Sequence, residues 1–418
     1  MADMEPSAAV ADDKRENAAA VAKALEDIAH IAQELEAEAP LSEGLGKLTD
    51  RAVELLFSNG IHNLYAPKEL GGLGLYPGEA LPVLKRIAYI DGSIGWVSTI
   101  FAAGGLLINY LAPEVSDSIL ASDDNICFGA VSNGQATAEL GPDGWKISGN
   151  YRYGSGVKHA NYVFMPAMKI VNGEPLPMPQ GMGFFLVPAS ALALAQGWDV
   201  LGLKATGSVD FSVKNLQLPH NHETHVMAPP ARGGRAASGG LTVLIPIMHL
   251  GFALGIVERL LDEMKAVAGK KPPMPGAPSM GETDYFRTEF ARKYAEAKSA
   301  EAWVTQVMAD IDETLRQGRG MTTRQHTLLR AVNIHAHEVA RDIANWAFKR
   351  SGGVALRDGT LQRTIRDALA GCQHFIASDT HYVNVGFDLI GAPEDFTWLG
   401  LFAFGPAPKM PDATLAAA

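Results

Sequence analysis

The chain has 418 residues, enough for two or three packed units rather than one small core. Its 47% apolar and 19% charged residues are a globular composition. With 46 acidic against 35 basic residues and no Lys/Arg run, a nucleic-acid-binding surface is not expected.

The first eighteen residues are acidic and lack both the basic region and the apolar stretch of a signal peptide, so they read as a flexible tail (1–18). The spacing of Val21, Leu25, Ile28, Ile31 and Leu35 predicts an amphipathic helix, and Ala39-Pro40 is expected to stop it. A second helix is expected over 49–57, ended by Asn59-Gly60. The Gly/Pro-rich stretch that follows (IHNLYAPKELGGLGLYPGEA) is loop, and two more helices lead to Ala112-Pro113. One of them, 94–111, is uncharged and long enough to span a membrane. Its Ser98, Thr99, Gly104, Gly105 and Asn109, and the lack of basic flanks, favour a buried helix of a soluble protein instead.

The period changes near residue 125. ICFGAVSNG, GWKISGNYRYGSG, NYVFMPAMKI, MGFFLVPAS, WDVLGLKATGS and VDFSVKNLQLP are short β-rich runs cut by Gly, Pro and Asn, expected to form an antiparallel domain over 125–225. After APPARGGRAASGG the chain is helical again. An apolar segment covers 244–267, and one stripe runs through Phe286, Phe290, Tyr294, Ala297, Val304, Val307, Ile311 and Leu315. A second takes Leu328, Val332, Ala336, Val339, Ile343 and Trp346, and a third Leu361, Ile365, Leu369, Cys372 and Ile376. The organisation read from these patterns is an N-terminal helical domain (19–124), the middle β domain, a C-terminal bundle (240–400) and a C-terminal tail (401–418).

No GxGxxG after a strand, Walker loop, HExxH or GxSxG is present, which argues against a Rossmann dehydrogenase, a P-loop enzyme, a zincin and an α/β-hydrolase. The cysteines, Cys127 and Cys372, lie far apart and outside any metal spacing, which fits a reducing cytoplasm. HNHETH (His220, His222, His225) follows Pro219 in a loop without a carboxylate or thiol partner at ligand spacing, so no metal site is expected. Asp367, His374 and His381, spaced by seven, are expected to share one helix face, with Ala370, Gly371 and Ser378 leaving room for a ligand beside His374. In GNYRYGSGVKHANYVF, Gly154, Ser155 and Gly156 separate two strands. That turn is a tight hairpin or a place where a flat ligand approaches the backbone and receives the Ser155 O–H or N–H.

Taken together, APKELGGLGL, WKISGNYRYGSGVKHANYVF, WDVLGLKATGSVDFSVKNLQLP and FKRSGGVALRDGTLQRTIRDALAGCQH resemble, in order, segments of the acyl-CoA dehydrogenase superfamily. The resemblance implies a mainly α fold with a central β domain: N-terminal helical domain, middle antiparallel β domain and C-terminal four-helix bundle. It also implies a homotetramer. In the dehydrogenases a glutamate following an Arg-Asp pair abstracts the substrate proton. Aligned on Arg366-Asp367 that position is Phe375, and the alternative site falls near Leu241 and Thr242, so the family's base is missing.

Cys372-Gln373-His374 resembles instead the two-component flavin-dependent monooxygenases that share this fold. That likeness implies reduced FMN or FAD supplied by a separate NAD(P)H:flavin reductase, O2 as co-substrate and a small organic molecule as substrate. It implies His374 and Ser155 as catalytic residues, Ser132, Gly154, Ser155, Gly156 and Arg350 as flavin contacts, and Trp96, Phe101 and Phe375 as substrate contacts. Several of these relatives carry a substrate-contacting histidine in the helix after a Gly-Trp pair. Here Gly95-Trp96 is followed by Phe101, Ala102, Ala103, Gly104 and Gly105, so the substrate need not be a phenol. Two other readings stand beside this one: a flavin dehydrogenase or oxidase with a base elsewhere, and a catalytically silent flavin-binding protein.

Overall fold

The computed structural model describes residues 8–121, 126–127, 131–132, 136–177, 180–224, 226, 228–270, 276–400 and 403–407. Helix α1 (Ala8–Leu45) starts ten residues before the expected end of the tail and runs through Pro40. Its early turns are anchored rather than loose. Buried Asn17 donates to Glu79 (2.7 Å) and Asp13 pairs with Arg316 (3.2 Å). Past Pro40 the last turn is held because buried Ser42 accepts the Thr49 N–H (3.0 Å), binding it to the start of α2 (Asp50–Ser58). Thr49, expected as the first residue of the helix, is instead its cap, accepting the Ala52 N–H.

Helices α3 (Leu81–Ile90), α4 (Gly92–Leu107) and α5 (Pro113–Ala121) complete the N-terminal region. Pro113, expected as a stop, opens α5 instead, where a missing N–H costs nothing. Every residue of α4 is buried. Gly92–Tyr110 and Gly240–Ala268 are apolar and long enough to cross a membrane, and both are largely enclosed by the rest of the chain. The glycines in these helices serve close packing. A Cβ at Gly95 would lie 2.4 Å from Ala88 Cα, and one at Gly255 would lie 2.4 Å from the Lys85 carbonyl.

The middle region is one sheet built from β1 (Ile126–Cys127), β2 (Val131–Ser132), β3 (Thr137–Gly141), β4 (Gly144–Gly154), β5 (Tyr162–Val171), β6 (Glu174–Pro175), β7 (Met182–Pro188), β8 (Ala193–Leu194), β9 (Val209–Leu218) and β10 (Glu223–Thr224). The strands run in the order β10-β7-β5-β3-β4-β9-β8. Pairing is mostly antiparallel, but β1 and β3 both run parallel to β5, which the expected antiparallel domain did not include. WDVLGLKATGS is not a strand. Leu203 has φ +54° and the segment folds against the bundle, where a Cβ at Gly202 would lie 2.1 Å from the Arg366 carbonyl.

After a single turn, α6 (Gly234–Ala237), the bundle comprises α7 (Gly240–Ala268), α8 (Asp284–Arg316), α9 (Thr323–Ser351) and α10 (Thr360–Gly371). The stripes on α8 and α9 are mostly buried within the chain, apart from Tyr294. Helix α11 (Tyr382–Leu389) follows, then the hairpin of β11 (Phe396–Leu399) and β12 (Ala403–Pro406). The start of the expected tail is therefore a paired strand. Its Trp398 is fixed by an N–H···O bond to Thr327 (2.8 Å) and by the Arg330 guanidinium 4.0 Å from its ring centre.

A buried ionic lock joins three parts of the fold. Asp91 caps α4, accepting the N–H groups of Ser93 and Ile94 (3.0 and 3.1 Å), and its other oxygen takes Arg363 Nε of α10 (2.8 Å). One turn on, Asp367 accepts the Leu203 N–H at 2.6 Å. Burial, and then the charge of Asp91, push the Asp367 carboxyl well above the usual carboxylate range. A carboxyl whose folded pKa is raised contributes stability fully present below about pH 4, which declines as pH rises toward the raised value. Asp367→Asn should therefore gain stability over the wild type at pH 8 relative to pH 5, read from urea unfolding midpoints. Arg363→Met, which strands Asp91, should cost about 3–5 kcal/mol in the same assay.

Candidate functional site

The lock sets the start of α4 and the end of α10, and between them lies an aromatic and imidazole cluster. Trp96, one turn into α4, presents its indole edge-on to His249 (4.9 Å between ring centres), Phe252 (5.0 Å) and His374 (5.7 Å). His249 and Phe252 come from α7, and His249 stacks face to face on His374 at 4.1 Å and 29°. His337 of α9 lies 5.9 Å from His249, and Phe375 tilts over His374 at 4.4 Å.

The β domain meets this cluster through Ser155. Its turn leaves β4 through two left-handed residues, Tyr153 (φ +60°) and Gly156 (φ +76°), with Ser155 buried between them. Trp96 Nε1 donates to Ser155 Oγ (3.1 Å). Ser155 and Ser208 hydroxyls lie 2.6 Å apart, as do those of Ser208 and Thr206, and Thr206 donates to the Leu203 carbonyl (2.8 Å). An indole N–H can only donate and a carbonyl can only accept, so the protons of this chain run one way, from Trp96 toward Leu203. The Ser155 hydroxyl proton is thus directed to Ser208, and its backbone N–H is taken by Tyr153 O (2.8 Å). Both donors that the sequence offered to a ligand are therefore used within the chain.

Four of the expected residues come together: Trp96, Ser155, His374 and Phe375, with Gly154 and Gly156 flanking Ser155. Gly154 cannot carry a side chain, because a Cβ would lie 2.8 Å from the Phe211 ring. Two of the expected residues lie elsewhere. Phe101 turns from α4 onto Phe57 (5.0 Å), and Arg350 is held at the surface by Glu289 (2.6 Å) and Tyr285. Ser132 sits on β2, paired with Tyr151, but its side chain lies outside the described residues.

The helical face expected for Asp367, His374 and His381 does not exist. Helix α10 ends at Gly371, Asp367 points to the lock, and His381 bonds the Phe375 carbonyl (2.9 Å) from a separate turn. The space expected at Gly371 is filled by Phe252, whose ring would lie 2.2 Å from a Cβ there. His374 instead caps the turn Phe375–Ala377, its Nδ1 accepting the Ile376 N–H (3.4 Å). In the HNHETH segment His220 is exposed, His222 bonds the Leu186 carbonyl (3.0 Å), and His225 lies outside the described residues. No group of three His, Cys, Asp or Glu among the described residues could hold a metal ion.

His249, His337, Phe252, Thr206 and Ser208 were not expected at a site. His249 is the one titratable residue between Leu241 and Val257, and that interruption of an apolar run was the available signal. Asn333 and His337, four apart within the α9 stripe, are a second: Asn333 donates to the Ile376 carbonyl (2.9 Å) and His337 Nδ1 bonds the Asn333 carbonyl (2.8 Å).

All three imidazoles are held neutral. Burial, then the neighbouring His337, push His374 down to about 3. Burial pushes His337 down to about 4, and burial followed by His374 and His337 holds His249 well below the ordinary value. His374 is therefore a neutral imidazole at physiological pH, not the residue titrating near 6.5 that its reference value suggests. Groups with lowered folded pKa stabilise fully above their unfolded value and lose that stabilisation as pH falls through it. Stability should thus fall steadily from pH 6.5 toward 4, by about 1.4 kcal/mol per pH unit for each of His374 and His337. His337→Gln should show a shallower dependence in urea titrations across that range.

Residues 247–379 match the family model described as "Acyl-CoA dehydrogenase, C-terminal domain". An indole-3-acetate monooxygenase of Pseudomonas putida is 28% identical over 352 residues, covering 81% of this chain and 86% of that protein. The oxygenase subunit HsaA of a flavin-dependent monooxygenase from Mycobacterium tuberculosis is 26% identical over 396 residues, covering 88% and 95%. Among solved structures, XiaF from Streptomyces sp., in complex with FADH2 and glycerol, superposes with a TM-score of 0.81 at 18% identity, covering 91% and 98%. The chain has the acyl-CoA dehydrogenase fold, and the relatives it resembles along most of its length include oxygenase components of flavin-dependent monooxygenases.

Proposed function

We propose that the protein is the oxygenase component of a two-component flavin-dependent monooxygenase. It takes reduced FMN or FAD from a separate NAD(P)H:flavin reductase and uses O2 to oxygenate a small aromatic or heteroatom-bearing molecule. The observation that carries this reading is the one-way hydrogen-bond chain through Ser155, set beside the neutral His374 in a water-poor aromatic cluster.

The residues fit a flavin. The turn at Tyr153–Gly156 is strained into a shape that brings backbone close to a planar ligand, and Tyr153 and Trp198 stand edge to face beside it. An acceptor oxygen at Ser155 suits the N–H that the central ring of a reduced flavin carries and an oxidised one lacks. Bound reduced flavin would supply the electrons that activate dioxygen. Trp96 and Phe252 would exclude water around it, and His374, neutral with Nδ1 accepting the Ile376 N–H, would present its Nε2–H as a hydrogen-bond donor as the substrate is oxygenated.

A dehydrogenase is disfavoured by the same geometry. Phe375 is an aromatic ring on His374, Leu241 is buried and apolar, and the carboxyl of Asp367, seven residues before His374, is bound to the Leu203 N–H. Absence of a dinucleotide fingerprint supports a separate reductase. The reading includes a homotetramer in the cytoplasm. The α8 and α9 stripes are largely used inside the chain, so the apolar surface supporting assembly lies instead on α11 and just beyond it, with Val383 75% and Ile390 85% exposed. Cys372 is a free thiol, which supports a reducing compartment.

Stopped-flow mixing of the protein and reduced FMN or FAD with oxygen should show flavin reoxidation in phases distinct from those of free flavin. Identical traces with and without protein would overturn the proposal. His374→Ala, with its melting temperature checked, should lower product by roughly two to four orders of magnitude and raise hydrogen peroxide release. Unchanged coupling of oxygen to product in that variant would remove His374 from the chemistry.

A further inference from the structure

The bundle side of the site carries more hydrogen-bonding capacity than the fold uses. His249 Nδ1, His337 Nε2 and Asn333 Oδ1 are all buried with no hydrogen-bond partner, in residues exposed by 4%, 2% and 0%. Buried polar atoms left unpaired are few in folded proteins, because each forfeits its hydration without return. A leucine or methionine at 249 would fill the same surroundings, next to Trp96 and Phe252, without that loss. Three such atoms on two facing helices, α7 and α9, with His249 stacked on His374 and touched by Trp96, mark a polar patch among otherwise apolar and aromatic side chains.

We infer that His249, backed by His337 and Asn333, recognises a polar ring substituent of the substrate, so that the site selects a neutral aromatic molecule bearing a ring hydroxyl or ring N–H. The inference rests on the monooxygenase reading and names its substrate class. The imidazole edge serves either partner, since its tautomer decides whether a nitrogen donates or accepts. Trp96, Phe252 and Phe375 offer faces and edges for the ring itself. Neutral substrates are favoured because the cluster holds no cation to meet a carboxylate. Among the described residues the ring and hydrogen-bond partners of His249, His337 and Asn333 include no Lys or Arg, and Arg341 of α9 is exposed.

The test uses pairs of probes that match in shape and differ in one polar group: indole against indene, and phenol against toluene. Binding is followed by tryptophan fluorescence or calorimetry on the full chain. The wild type should bind indole and phenol roughly 10- to 100-fold tighter than their apolar partners. His249→Phe, which keeps the stack and removes both nitrogens, should abolish that preference while leaving indene and toluene binding unchanged. His249→Gln, which restores a polar group, should recover part of it. A wild type that binds indene as well as indole overturns the inference, as does a folded His249→Phe that keeps the preference. Stopped-flow reoxidation of reduced FMN by the same wild-type preparation separates the two failures. Distinct phases without probe selectivity sink this inference alone, whereas traces like those of free flavin sink the monooxygenase reading and the inference with it.

Discussion

The site depends on two buried carboxyls and one guanidinium. Asp91 begins α4 five residues before Trp96, Arg363 and Asp367 lie on α10 shortly before His374, and Leu203 precedes Thr206 by three. One compact polar contact therefore places an element on each side of the cluster: the indole, the imidazole and the hydroxyl chain. The arrangement is costly, since it brings two acids together out of water against one cation, and Asp367 answers by holding its proton. Such contacts add little net stability, but they hold these three segments to one another at defined residues.

Around that anchor the site is built to hold protons still. The hydroxyls from Ser155 to Thr206 are oriented by their two ends, and the three imidazoles are kept uncharged by desolvation. A site of this kind presents fixed dipoles to a ligand and has little freedom to rearrange as charge develops, which is the condition under which polar groups act most strongly. Beside it Trp96 and Phe252 are buried, the water-poor surroundings that the proposed oxygen chemistry would need.

Much of this was legible in the chain. The helix–sheet–helix order followed from periodicity, and Ser155, Trp96, His374 and Phe375 were expected at one site and are found together. What was not legible has physical causes. Pro40 and residues 8–18 were misread because local signals give way when side chains such as Asn17 and Ser42 find distant partners. The parallel partners of β5 leave no mark in a period-two pattern. Spacing by seven placed Asp367, His374 and His381 on one helix face, but the helix stops at Gly371, and three-dimensional proximity then came from α7 and α9. His249 stood out as an interruption in an apolar run, yet its partners are 88 and 125 residues downstream, beyond any local pattern.

The contact of Gly202 with the Arg366 carbonyl bears on how proteins of this shape diverge. The segment carrying Thr206 and Ser208 does not merely rest on α10; its backbone is pressed against it at a distance no side chain fits, and Leu203 is bonded one residue away. The middle region is thus not a free module. A recombination event that exchanged residues 126–224 while leaving α10 behind would join surfaces shaped for different partners, so the two segments are inherited as a pair although position 224 lies 136 residues before the start of α10 at Thr360. Variation in substrate is correspondingly easier to accumulate on α7, whose side chains reach the aromatic cluster without taking part in that contact.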